Sequence, residues 1–486
     1  MNSKRALFLL GISAIFILTS CSGLKTAVCT TNCTVSGNAT LNLTLSDTPP
    51  AGVGVISFTL PISGISLVPT TGSAVSVYSG GNFELTRLQS DSAPVAVGVS
   101  VPEGSYTAIK VTLGTSSGVF INASGGSITS SKGTCVANAV CPLPAGAATS
   151  ITFTFPSALT LSANQTQWIG LDFNLNNAIT SSSGITVDFG QANVLTATTT
   201  APTGISSGNV ANIDDFTGIV KAISSSSITL NSTARGNLTA SISSTTPVYD
   251  NDPLNPCSSG TPSCIKLGSI VSLQGVLTSA GVVDATSLDI INGSTTPADE
   301  VEGTIYPSTC NGGSNLGLIL ADSAVPSANA TLTGLSYGAG FCLTVSPTAS
   351  FLVDTGFLPT GQLTAGFSNS SDIQAGQVVR VNVSNVVAGS VVDATATNLV
   401  LRYSRLSGTV NVVTGNNFSI NGLPTYLGFT LSPLVATYSG STIFEGTTQG
   451  INGLSNPSPV AIRALYLNPV TAQQGIPFLA AKVRLN

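Results

Sequence analysis

Residues 40–45 read Thr40-Leu41-Asn42-Leu43-Thr44-Leu45, apolar and polar side chains in strict alternation. A strand sends successive side chains to opposite faces, so this stretch carries one face for a core and one for water or a partner. The same period recurs in Ile151-Thr152-Phe153-Thr154-Phe155 and in Ile169-Gly170-Leu171-Asp172-Phe173-Asn174-Leu175. Clusters of Gly, Pro, Ser and Asn, the residues of turns, separate such runs. Beyond residue 20 no long stretch has the helical period, and β-branched Val, Ile and Thr abound. The pattern predicts an all-β protein. A membrane β-barrel is the competing all-β form, but the strands lack repeated aromatic girdles and the chain ends Val483-Arg484-Leu485-Asn486, which argues against it.

The chain has 486 residues, long enough for about three domains at roughly 150 residues each. Only 7% of it is charged and 42% is hydrophobic, so charge-driven disorder is excluded. With 15 Lys+Arg against 20 Asp+Glu, it cannot neutralise a phosphate backbone, and no nucleic-acid partner is expected. Histidine is absent, which removes the commonest general base, the commonest zinc ligand and every Ser-His or Cys-His pair. No cofactor and no catalytic residue are expected. The exterior should be neutral, built from Ser, Thr, Asn and Gly, favouring wide polar contacts over charge steering.

Residues 1–20 read as an export leader. Lys4 and Arg5 make a positive start, Ala6 to Leu18 an apolar run too short to span a bilayer, and Leu18-Thr19-Ser20-Cys21 the cleavage end. This end resembles the lipobox of bacterial lipoproteins. The resemblance implies lipid on Cys21, a tether rather than a span, and Ser22 after it favours the outer membrane. Several acyl chains at ~0.8 kcal/mol per buried CH₂ make a stable anchor. Residues 21–37 would then be a short stalk. The expected location is the bacterial cell envelope, as an outer-membrane or surface lipoprotein.

Eight further cysteines fall into local pairs: Cys29/Cys33, Cys135/Cys141, Cys257/Cys264 and Cys310/Cys342. An even number in an oxidising compartment predicts four disulfides. A metal would need CxxC-like spacing or histidines, and neither is present.

Residues 38–198 form a first domain. In it Ser46-Asp47-Thr48-Pro49, Pro102-Glu103-Gly104-Ser105-Tyr106-Thr107 and Asp172-Phe173-Asn174-Leu175 follow in order. These stretches resemble the bacterial family catalogued as domain of unknown function 4382. Asn174 stands where that family more often has an acid, and Pro50 and Gly52 lengthen the first turn. The resemblance implies a sandwich-like β domain on a lipoprotein and brings no established catalytic residue.

The remainder repeats internally. Phe216-Thr217-Gly218-Ile219-Val220, Val301-Glu302-Gly303-Thr304-Ile305 and Leu406-Ser407-Gly408-Thr409-Val410 open three units, at 212–297, 298–405 and 406–486. Val-Val-Asp-Ala-Thr recurs at 282–286 and 391–395, so these should be equivalent strands, with Asp284 and Asp393 at the same outward or turn position. The third unit is degraded. The repeats are similar to those catalogued as domain of unknown function 5666, which implies small β-barrels of five or six strands. The expected fold class is therefore all-β, a sandwich-like N-terminal domain followed by three small β-barrel-like repeats.

Motifs that could carry chemistry read more simply as structure. Gly-x-Ser-x-Gly occurs at Gly114–Gly118, Gly204–Gly208 and Gly334–Gly338, but without strand-turn-helix context or a histidine base. Ser263 and Lys266 have the spacing of a Ser-Lys dyad yet straddle Cys264. Phe351-Leu352-Val353-Asp354-Thr355-Gly356 resembles the strand and turn of aspartic proteases, whose chemistry needs a second such carboxylate that is missing here. Asp250-Asn251-Asp252 with Asn255 offers oxygens for calcium but lacks the glycine and distal glutamate of a known loop. Asp214-Asp215 reads as a linker into the first repeat, and Trp168 as a core residue rather than a sugar platform. The expected function is a non-enzymatic, lipid-anchored envelope protein with a binding or structural role. It would meet the membrane through its N-terminal lipid and a polysaccharide or envelope protein as partner. A surface carbohydrate-binding or adhesin protein is the alternative, and a secreted carboxylate-dependent hydrolase a third.

Overall fold

The alternation at 40–45 becomes the strand Asn38–Thr48, whose Leu41, Leu43 and Leu45 are at most 1% exposed. They meet Phe58, Ile109, Ile169, Leu171 and Phe173 in one core. A computed structural model of the chain describes residues 37–485, apart from 51–52, 123, 182–183, 233–234, 251–256, 258, 295–298, 307–315, 323–328, 357, 360–364 and 473–474. The leader, Cys21, Cys29, Cys33 and most of the stalk lie outside the described residues. Gly37–Asn486 form one compact unit.

The N-terminal domain is a sandwich of two sheets. The first is ordered Leu195–Thr198, Thr166–Asn174, Asn38–Thr48, Ala93–Pro102, with its two central strands parallel. The second is ordered Val140–Pro142, Ser117–Ile121, Gly54–Pro69, Gly104–Leu113, Thr149–Leu161. At Pro102-Glu103-Gly104 the chain leaves one sheet for the other. Gly104 takes φ +154°, open to glycine at no steric cost, and the Tyr106 hydroxyl donates to the Pro102 carbonyl at 2.7 Å. That stretch is thus the corner joining the two sheets.

Three barrels follow, each closed by the same pairing. In barrel one the ring is made by Asn209–Ile223, Ser227–Ser232, Gly236–Ser241, Ile270–Thr278 and Val283–Asn292, with the short strand Val248–Asp250 added parallel to the last. The first pairs with the second and the fourth, the second with the third, the fourth with the fifth, and a parallel contact of Ser241 with Asp284 closes the ring. Barrel two repeats this with Glu300–Tyr306, Leu316–Asp322, Gly340–Val353, Val378–Val387 and the start of Val392–Thr414, closed by the parallel pairing of Gly340–Val353 with that last strand. Barrel three uses the second half of Val392–Thr414, then Asn417–Asn421, Leu434–Ala436, Pro459–Tyr466 and Phe478–Leu485, closed where Val435 and Ala436 lie parallel to Phe478 and Leu479. Strand order 1-2-3-5-4 in a closed five-stranded Greek-key ring is that of the OB-fold, a statement about architecture and not about ligand.

The repeat glycines occupy one position in all three rings. Gly218, Gly303 and Gly408 pair with Val271, Val379 and Val460 on the fourth strand. A Cβ at Gly303 would sit 2.1 Å from the Ile319 carbonyl oxygen, at Gly408 2.2 Å from that of Asn421, and at Gly218 2.8 Å from that of Asn231. Each glycine therefore lets the first strand close on the second. Val283 and Val392, both buried, begin the fifth strands of barrels one and two, and Asp284 and Asp393 follow them at the closing contact. The third unit, degraded in sequence, closes as the others do.

Two expectations need correction. The division expected between 405 and 406 falls inside Val392–Thr414, one unbroken strand that ends barrel two and begins barrel three. Asp214-Asp215 is no linker: both lie within the strand Asn209–Ile223, 2% and 6% exposed.

Candidate functional site

A chain so poor in charge concentrates what it has at one place. All seven described arginines have side chains at most 10% exposed, whereas Lys110, Lys132, Lys221 and Lys266 are exposed. The planar guanidinium can make several directed bonds in a buried site, which an ammonium on a flexible stem does less well. Residues 83–96 of the sandwich, buried without interruption, form the plug around which the barrels gather.

Asp91 in that plug is the hub. Its Oδ2 lies 3.0 Å from Arg405 Nε and 3.7 Å from Arg235 Nη2, and its Oδ1 lies 3.7 Å from Arg463 Nη1 and 4.0 Å from Lys482 Nζ. Arg87, also in the plug, reaches Glu302 of barrel two at 2.8 Å. Arg402 joins Asp215, Glu302 and Asp354, and Arg380 joins Glu300 and Glu302. Lys482 bridges Asp214 at 2.6 Å and Glu445 at 2.9 Å, and Arg484 meets Glu445 at 2.9 Å. Burial pushes Asp91 and Asp215 up, but the surrounding arginines outweigh it and hold both below the usual carboxylate range. Glu445, likewise buried, is brought down to about 2 by Arg484 and Lys482.

The repeat explains the geometry. Asp215, Glu300 and Arg405 each stand three residues before the repeat glycine of their barrel, and Arg405 Nη2 lies 2.6 Å from Asp215 Oδ2. Gln274 and Arg463 stand three residues after the valines that face Gly218 and Gly408, and Arg463 donates to the Gln274 amide oxygen at 3.3 Å. Equivalent positions of barrels one and three thus face each other, with complementary groups.

Beside this junction lies a cleft of about 270 Å³ between the sandwich, the segment after it, and barrels one and three. Its floor is the outer face of the first sheet, because the inner face holds the leucines. Thr44, Ser46 and Thr48 alternate outward on one strand, and Trp168, Gly170 and Asp172 on its parallel neighbour. Register places Ser46 beside Asp172: the Ser46 hydroxyl donates to Oδ1 at 3.1 Å and the Thr48 hydroxyl to Oδ2 at 2.9 Å. Burial raises the Asp172 carboxyl above its ordinary value, with these two donors working against the rise. Asp47 points to the inner side, accepts the Leu175 N–H at 3.4 Å and is raised further, by burial and then by Asp172. The Trp168 N–H donates to the Thr44 hydroxyl at 3.1 Å, and its indole lies over Gly170, where a Cβ would be 2.6 Å from the ring. The remaining walls include Thr196, Thr198, Pro202, Glu445 and Arg484.

The residues singled out from sequence are mostly structural. Cys135 bonds Cys141 and Cys257 bonds Cys264, with Cα atoms 5.9 and 5.6 Å apart. Cys342 is disulfide-bonded, while Cys310 lies outside the described residues. Asp354 is fully buried, held by Arg402, and accepts the Gly356 N–H at 3.1 Å, an ion-paired turn acid. Ser116 of the first Gly-x-Ser-x-Gly is buried and accepts the Gly146 N–H. Asp250 accepts the Cys257 N–H, while Asn251, Asp252 and Asn255 fall outside the described residues. Trp168 is 6% exposed, but it packs on the core of barrel one and not on that of the sandwich. Sequence reasoning missed the arginine junction, and the charge three residues before each glycine was the signal for it.

Fold and junction together define an all-β protein of one sandwich and three barrels joined around buried ion pairs. Residues 38–190, the sandwich, match the family model described as "Domain of unknown function (DUF4382)". No curated protein matches the chain. Among solved structures the chain is similar to one described as "drosophila Unr CSD456", at 10% identity over 56% of this chain and 96% of that one, with a TM-score of 0.12.

Proposed function

We propose that this is an exported bacterial lipoprotein, anchored through Cys21 at the outer membrane or cell surface, with a non-enzymatic binding or structural role. The barrels would be diverged repeats of the kind catalogued as domain of unknown function 5666. The observation that carries the reading is the inward turn of the described arginines, which leaves an exterior rich in Ser, Thr, Asn and Gly around one compact unit. Such a body suits a tethered scaffold in an oxidising compartment, where its disulfides persist. Its partners are the membrane, through the lipid, and a polysaccharide or an envelope protein. The test is Cys21→Ala in cells fed labelled palmitate: the variant should take up no label and leave the membrane fraction. A labelled, membrane-bound variant would refute the anchor. A second reading, carbohydrate binding, is favoured by the hydroxyl-lined cleft.

A further inference from the structure

We infer that the cleft floored by Ser46, Thr48, Trp168 and Asp172 is a binding site for a neutral saccharide, one or two sugar rings in size. The inference rests on the carbohydrate-binding reading and gives it a place and a ligand class.

Four observations point there. First, the volume of about 270 Å³ lies just below the few hundred Å³ common for small-ligand pockets and is too small for a folded partner. Second, the carboxylate of Asp172 is held in place from one side only. Ser46 and Thr48 occupy one acceptor site on each oxygen, and a carboxylate offers about four. The vacant sites suit two adjacent ring hydroxyls, which donate in the same forked pattern. Third, the Asp172 carboxyl is largely buried, and that burial raises it above its ordinary value, so further hydrogen-bond donors would stabilise it. Fourth, the other wall charges are already paired: Arg484 donates to Glu445, Ser92 and the carbonyls of Gln89 and Asp91, which leaves Asp172 as the acceptor facing the cleft. A ligand of many neutral hydroxyls suits that acceptor and the hydroxyl-bearing side chains around it.

The test uses the full chain in a zwitterionic, sugar-free detergent. Binding of neutral mono-, di- and oligosaccharides is measured by calorimetry after a glycan array has chosen them. Wild type should bind at least one of them. Asp172→Asn, which keeps the shape but replaces an acceptor by a donor, should weaken that binding about tenfold or more. Thr198→Trp, at an exposed position on the rim, should block it while leaving the thermal midpoint unchanged. Absence of any neutral ligand at millimolar concentration overturns the inference, as does binding of charged glycans alone or wild-type affinity in both variants. Cys21→Ala protein should bind as wild type does, so failure of the sugar site and failure of the lipid anchor are read separately.

Discussion

Asp91 shows what a single residue does in this molecule. Four cations from barrels one and three converge on a carboxylate that belongs to the sandwich. Burying a charge costs several kcal/mol, and a pair in that setting holds only while both members are present. Asp91→Asn should therefore destabilise the protein by about 3–5 kcal/mol, since it removes the buried carboxylate that Arg235, Arg405, Arg463 and Lys482 share. Asp188→Asn, at an exposed loop position, should stay within about 0.5 kcal/mol of wild type. Urea denaturation of both variants checks this, and equal midpoints would show that the hub contributes nothing. Asp91 itself was illegible in the sequence. A lone acid in Leu88-Gln89-Ser90-Asp91-Ser92 looks like any polar loop, and nothing local says that three barrels will cover it.

At the scale of the element, the barrels explain their own spacing. The glycines 218, 303 and 408 were legible as a repeat, but the reason for them is a carbonyl on the neighbouring strand, which only closure of the ring brings near. Gly303→Ala puts a methyl group 2.1 Å from the Ile319 oxygen, in a strand whose neighbours on both sides are already paired. It should cost about 1–3 kcal/mol, the usual range for overpacking. Gly125→Ala, where a Cβ meets nothing within 4 Å, should cost far less. Thermal unfolding of the pair is the measurement, and a neutral Gly303→Ala would mean that the first strand has room to move. The shared strand Val392–Thr414 belongs to the same scale. No turn signal marks the passage from barrel two to barrel three because no turn exists there, so a boundary read from the repeat alone had to be placed inside it.

Across the whole molecule, two sets of carboxyls oppose one another. Asp91, Asp215 and Glu445 are lowered by their cations, so their contribution is present above the unfolded carboxylate value of about 4 and is lost as pH falls through their folded values, to about 2 for Glu445. Asp47, Glu84 and Asp172 are raised by burial. Their folded forms hold protons more tightly than the unfolded chain does, so stability is lost as pH rises through their folded values. Stability should therefore increase from neutral pH down to about pH 4–5 and fall steeply below pH 4. Denaturation midpoints between pH 2 and 8 test this. A flat profile below pH 4 would mean that the junction carries no net charge stabilisation. Because the pairs are buried, 1 M salt should move the low-pH limb little.

The sequence by itself determined the all-β class and the repeat, because side-chain alternation and turn residues act over a few neighbouring positions and are written in the chain directly; the sandwich was implied by the family resemblance of residues 38–198. It also brought out the pairs Cys135–Cys141 and Cys257–Cys264, whose partners lie close along the chain. What it left open was everything that depends on residues far apart meeting in space. Arg405 and Asp91 are 314 residues apart in the chain, and Ser46 and Asp172 are 126 apart. The ion-pair junction and the cleft exist only because the barrels close on one plug of the sandwich, and low-dielectric burial then strengthens the attraction between charges that lie scattered along the chain.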